Sequence, residues 1–127
     1  MKKYVDEAVE CLKGEKVTAI LFGSVARGEQ TAISDIDILV IADPEYMSEA
    51  DKQKFPPKVS AYIVSRTELN TLAYTNSLVI AALLEGVVLI NNLNIGAELE
   101  RMKKDLQARG AEVTTKQIRY PKPPNKT

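Results

Sequence analysis

Between Gly23 and Val40 the chain reads GSVARGEQTAISDIDILV, and this stretch gathers the residue types that handle phosphate and divalent cations. Gly23-Ser24 ends an apolar run, VTAILF. Glycine lets backbone N–H groups approach an anion closely. The VARG that follows predicts the start of a short helix capped by Ser24, and a helix N-terminus adds partial positive charge. The Ser24 hydroxyl can donate a further hydrogen bond, so the turn reads as a phosphate cradle. Asp35 and Asp37 stand two apart at the entry to a strand. Residues i and i+2 of a strand share a face, with origins roughly 6–7 Å apart. Carboxylates so placed can share one or two Mg²⁺ ions. Ile36, Ile38 and Val40 alternate with the aspartates, so the opposite face packs into the core and holds the carboxylates on a rigid element. A Gly-Ser turn or an aspartate pair alone is common. At ordinary residue frequencies, the joint pattern Gly-Ser-x10-Asp-x-Asp arises by chance in about one chain in a thousand of this length.

Composition narrows the chemistry. The 127 residues include no histidine and one cysteine, Cys11. Zinc sites built on cysteine and histidine are excluded, as are histidine-based acid–base catalysis, Ser-His-Asp triads and an intrachain disulfide. A metal must be held by oxygen, which points to Mg²⁺, Mn²⁺ or Ca²⁺. No apolar run approaches the 18 or more residues of a membrane span. The start, MKKYVDEAVE, turns acidic and amphipathic after two lysines and does not read as a signal peptide. A cytoplasmic location is the expectation. The net charge of zero hides an asymmetry: residues 1–100 carry 9 Lys+Arg against 15 Asp+Glu, and residues 101–127 carry 8 against 2. A basic tail on an acidic body reads either as an interaction segment or as a solvated helix with a frayed end. No basic patch with interleaved aromatics appears, so nucleic-acid binding by the body is not expected.

The elements that must position this stretch follow from periodicity. Residues 3–13 predict a helix with Tyr4, Val5, Ala8, Val9 and Leu12 on one face, ended by Gly14. Cys11 sits near that face as a core residue. Strands are expected at 17–22, 36–42, 58–65 and 87–90. Residues 45–57 read as loop with a short helical turn. A helical stretch from Thr67 to about Tyr74, capped by Thr67 or Ser65, precedes an apolar helix over 75–86 closed by Gly86. Asn94 is placed to cap a last helix, 95–109, whose stripe Ile95, Leu99, Met102 and Leu106 packs on the body or on a second subunit, allowing a homodimer. Residues 111–119 read as extended, and PKPPNKT as unstructured. The expected organisation is one α/β (α+β) domain over residues 1–110, with a small mixed sheet of four to five strands covered by helices, and a basic tail over 111–127.

The motif in 23–40 resembles the signature of the DNA polymerase β-like nucleotidyltransferase superfamily. With Ala26-Arg27-Gly28 and Ser34, it is similar to the minimal nucleotidyltransferases of bacteria and archaea. LLEGVVLINN, residues 83–92, looks like the end of that minimal domain. The resemblance covers about residues 1–92 and is specific in 23–40. It implies a mixed sheet in which the Gly23-Ser24 turn binds the triphosphate of ATP or another NTP, and Asp35 and Asp37 bind Mg²⁺ or Mn²⁺. It also implies in-line attack by an acceptor hydroxyl on the α-phosphorus, with pyrophosphate leaving. AMP from ATP is the expected group transferred. Little chain remains for an acceptor pocket, so the acceptor is expected on a partner. Minimal members are commonly paired with a helical HEPN-type protein in toxin–antitoxin modules, where nucleotidyl transfer silences the partner.

The chain departs from the family pattern at one place. Active members carry a third carboxylate on the next core strand. Here that strand is KVSAYIVS, with Ser60 and Tyr62 at the aligned positions. The nearby acids are Glu68, Asp43 and Asp51. A non-catalytic module that binds nucleotide or neutralises a partner by contact is therefore the alternative, and transfer to a small molecule such as an aminoglycoside a third. Arg27 can reach the phosphates, or pair with Glu29 or another acid. Ser34 orients the aspartate loop or serves as a turn residue. Tyr46, Tyr62 and Tyr74 can stack on a base or fill the core.

Overall fold

The computed structural model describes residues 2–29, 35–51, 54–114 and 117–123. Helix α1 (Lys2–Leu12) leads into β1 (Val17–Phe22). Strand β2 (Ile36–Ala42), a 3₁₀ turn at Pro44–Tyr46 and the short α2 (Met47–Asp51) follow. After β3 (Val59–Ser65) come a 3₁₀ turn at Arg66–Glu68, α3 (Leu69–Thr75), α4 (Ser77–Glu85), β4 (Val87–Asn91) and α5 (Gly96–Ala108). Two-residue strands β5 (Glu112–Val113) and β6 (Ile118–Arg119) complete the order.

The main sheet has the order β3-β2-β1-β4. Strand β1 pairs antiparallel with both β2 and β4, while β2 and β3 run parallel. The sheet is therefore mixed, as the motif's resemblance implies. Period-2 alternation sends β2 side chains to two cores. Ile36, Ile38 and Val40 pack with Val17, Ala19 and with Ala8 and Leu12 of α1. Leu39 and Ile41 pack on the other face with Ile20 and Phe22, under α3, α4 and α5. Asp37 belongs to this second face by its place in the alternation, at the end the helices leave half-open. Both faces of β2 are buried beyond Asp37, which fixes the strand and the carboxylate on it.

The α5 stripe of Ile95, Leu99, Met102 and Leu106 is buried on the body of the same chain. Its start differs from the expectation that Asn94 caps it. Ile95 occupies the cap position without a side-chain bond, and Asn94 lies at φ +55°. The Asn91 side-chain oxygen instead accepts the Ile95 N–H and the buried Thr18 hydroxyl, each at 3.0 Å. One amide thereby ties α5 to β4 and β1. Ser65 rather than Thr67 caps the turn after β3, accepting the Thr67 N–H at 3.3 Å. Strands β5 and β6 pair antiparallel, with Glu112 opposite Arg119 and Val113 opposite Ile118. Val113 and Ile118 pack against the α3–α5 core.

Candidate functional site

Antiparallel pairing sets Phe22 at the end of β1 opposite Asp37 in β2, so the chain leaving β1 turns beside the carboxylates. Gly23 makes that turn at φ +83°, and a Cβ there would stand 2.6 Å from Asp37 Oδ2. Handedness and space both demand glycine. Residues 24–28 continue as turns. The Arg27 N–H donates to the Gly23 carbonyl at 3.1 Å, and the Glu29 N–H to the Ser24 carbonyl at 2.9 Å. The helix expected after Ser24 does not form. Gly28, at φ +73°, leaves the right-handed region and stops the chain after a single turn. An anion at this place would meet the backbone of a turn rather than a helix end.

Asp35 directly precedes β2 and is exposed, whereas Asp37 lies within β2 and is half-buried. The Asp37 carboxyl titrates above the ordinary aspartate value. Burial is the main cause and the Asp35 charge the second; the Tyr62 hydroxyl and the Arg27 charge pull the other way. Two adjacent carboxylates, one partly desolvated, form a donor set whose repulsion a divalent cation relieves. Oxygen donors in this number suit Mg²⁺, which takes one or two carboxylates and completes its shell with water and substrate phosphate.

Strand β3 is where a third carboxylate would stand. Its register sets Ser60 beside Asp37 and Tyr62 beside Leu39. The Tyr62 ring packs against Phe22 with centroids 5.9 Å apart, and its phenol is held above its ordinary pKa by burial and by the Asp37 charge. Among the described residues no group of three or more acids, cysteines or histidines could hold a metal ion. Asp43 lies 3.6 Å from Arg66 in an ion pair, and Glu68 sits in the turn after β3. The side chain of Asp51 lies outside the described residues.

Arg27 contacts acids on two sides: its Nε meets Glu29 at 2.5 Å and its Nη1 meets Glu85 of α4 at 2.6 Å. The expected pairing with Glu29 is present, and Glu85 is a second partner. The structure thus brings Gly23, Arg27, Asp35 and Asp37 together, with Ser24 next in the turn; Ser34 lies outside the described residues. Tyr74 is taken up elsewhere. Its hydroxyl donates to Asp105, and its ring lies 4.9 Å from the Arg109 guanidinium, fastening α3 to α5.

A cavity of about 450 Å³ opens beside the Gly23 turn. Gly23, Arg27 and Glu85 line it, together with the polar Ser77, Thr114 and Gln117. Phe22, Leu78 and Ala81 line one side, and Val113, Ile118 and Tyr120 the other. Sequence reasoning missed Glu85 and this wall. The spacing of Leu78, Ala81 and Glu85 along α4, which puts an acid on an otherwise apolar face, was the available signal for the first. The second had no turn signature such as Asn-Gly between its strands.

A mixed sheet that sets a glycine turn against paired aspartates is the arrangement of a nucleotidyltransferase-like domain. Residues 1–106 match the family model described as the nucleotidyltransferase domain, and the chain belongs to that family of transferases. It is similar to the protein named "Putative protein adenylyltransferase MJ0604" of Methanocaldococcus jannaschii, with 41% identity over 46 residues, 36% of this chain. That match spans about half, 46%, of the relative's length. A solved structure described as a crystal structure of the toxin-antitoxin with AMP-PNP is similar over 81% of this chain and 89% of that one, with 22% identity and a TM-score of 0.44.

Proposed function

We propose that the chain transfers a nucleoside monophosphate, AMP from Mg–ATP, to a hydroxyl of a protein acceptor. The observation that carries the reading is the close approach of the Asp37 carboxylate to Gly23, which sets a turn suited to phosphate beside a carboxylate pair suited to Mg²⁺. Asp35 and Asp37 would hold the ion, which supplies neutralisation of phosphate charge and a fixed orientation for in-line displacement. The Gly23-Ser24 backbone and the Ser24 hydroxyl bind the phosphates. Arg27, at the mouth of the turn, exchanges a carboxylate for a phosphate oxygen when nucleotide enters. The acceptor hydroxyl attacks the α-phosphorus, its proton leaves to a base, and pyrophosphate departs. Membership of the transferase family supports the reaction class. The name of the Methanocaldococcus jannaschii relative supports adenylyl as the group and protein as the acceptor. Resemblance to minimal nucleotidyltransferases makes a helical HEPN-type protein in a toxin–antitoxin pair the acceptor we favour.

A second reading is a module that binds nucleotide or partner without catalysis. It is favoured by Tyr62 and Ser60 on the strand where a third carboxylate would activate the acceptor, a contribution of roughly 10²–10⁴-fold in general base catalysis.

Titration calorimetry of Mg–ATP into the wild type and the Asp35→Asn/Asp37→Asn variant tests the site. Binding that requires Mg²⁺ and weakens at least about tenfold in the variant is expected. Equal binding by both chains would remove the aspartates from the site. Intact mass of a co-purified partner then separates the two readings: one added AMP or more for the transferase, none for the module.

A further inference from the structure

We infer that the β5–β6 hairpin is the outer wall of a nucleobase pocket, with Tyr120 stacking on the base. The inference rests on the nucleotide reading above and names the part of the nucleotide that reading leaves unplaced. The cavity reaches from Gly23, Arg27 and Glu85 to Leu78 and Ala81 of α4 and to Val113, Ile118 and Tyr120 of the C-terminal segment, and Ser77, Thr114 and Gln117 add polar groups to its lining. A nucleoside uses both kinds of surface, apolar groups against the faces of its flat ring and polar groups at the ring edge and ribose. With phosphates on the Gly23 turn, the cavity that opens from it receives the other end of the same molecule. Its volume, about 450 Å³, lies within the roughly 300–1,000 Å³ usual for small-molecule sites.

Tyr120 is 49% exposed although it lines the cavity. A large aromatic ring left half in water at a cavity wall gains by covering a flat ligand. The hairpin is held in place independently of any ligand. Val113 and Ile118 pack into the α3–α5 core, and the Lys122 N–H donates to the Arg109 carbonyl at 2.7 Å. Val113, Ile118 and Tyr120 all lie beyond residue 106, where the family match ends. This wall gives the basic C-terminal segment a role in choosing the nucleotide.

The test is calorimetry of Mg–ATP and of Mg–tripolyphosphate, which lacks base and ribose, into the wild type, Tyr120→Ala and Tyr120→Phe. Loss of an aromatic stacking partner weakens base binding by on the order of tenfold. The expected result is that loss for Mg–ATP in Tyr120→Ala, none in Tyr120→Phe, and unchanged tripolyphosphate binding in both. Wild-type binding of Mg–ATP with no loss in Tyr120→Ala overturns the hairpin inference and leaves the nucleotide site standing. Equal weakening of ATP and tripolyphosphate also overturns it, because the residue then acts on the phosphates or the fold. A wild type that binds neither ligand removes both this inference and the reading it rests on.

Discussion

Asp37 is held in a state it does not favour. Its carboxyl is partly desolvated, faces the Asp35 charge and touches the space a Gly23 side chain would fill. Its pKa is raised in the folded chain, so that chain binds this proton more tightly than the unfolded one. The resulting stability is fully present below the unfolded aspartate value and is lost as pH rises through the folded value. At neutral pH the charged group therefore costs stability in metal-free buffer. Asp37→Asn is expected to raise the urea midpoint at pH 7 without Mg²⁺, and the gain should shrink on acidification through the raised pKa. A wild type more stable than the variant at pH 7 would contradict the electrostatic account. Trading stability for a charged pair at one end of a strand is a common feature of functional sites.

Helix α4 carries Leu78, Ala81 and Glu85 to the cavity, and two residues outside it set its ends. Asn76 caps it, its side-chain oxygen accepting the Leu78 and Val79 N–H groups at 2.9 and 3.1 Å. Asn76→Ala is expected to cost about 1 kcal/mol, read as a lower urea midpoint with unchanged slope. Gly86 closes the helix as expected, but without the left-handed conformation common at helix ends. Its φ is −72°, which any residue adopts. A Cβ would instead lie 2.2 Å from the Ala82 carbonyl oxygen and 2.3 Å from Ile20 Cγ2. The glycine lets the backbone leave α4 and enter β4 against β1. At the far side of the same layer, Tyr74, Asp105 and Arg109 fasten α3 to α5, with the Arg109 Nε 3.2 Å from Asp105.

At the scale of the molecule, two cores grip the sheet, and the site lies at one end of it between β1, β2 and α4. No helix among the described residues is long and apolar enough to cross a membrane. Because the carboxylate pair and the Gly23 turn exist only when β1 and β2 are paired, a ligand that needs both binds the folded chain alone. Such a ligand stabilises by mass action, by about 2.7 kcal/mol at a hundred times its dissociation constant. Mg–ATP at that concentration is expected to raise the thermal midpoint, and EDTA to abolish the rise. An equal rise with ATP in EDTA would show that the aspartates hold no metal.

The local elements were legible because each is driven by its own side chains. β1, β2 and β3 announce themselves as β-rich apolar runs, and the α5 stripe by its spacing. The motif Gly23-Ser24 with Asp35 and Asp37 stood out in the sequence because that joint spacing is rare at ordinary residue frequencies. What stayed hidden depends on contacts between residues distant in the chain. Glu85 reaches Arg27 across 58 positions, and Asn91 serves Thr18 across 73. The turn at 24–28 looked like a helix start because Ser24 is a good cap, yet the left-handed Gly28 stops it after one turn. The C-terminal segment, read from its charge as an interaction tail or a frayed end, became a cavity wall because Val113 and Ile118 found apolar surface on the helical layer. Sequence thus determined which residues are candidates for the chemistry and which strand carries Asp37. Only tertiary structure decided what stands beside them, because burial and close approach arise from packing that no local pattern encodes.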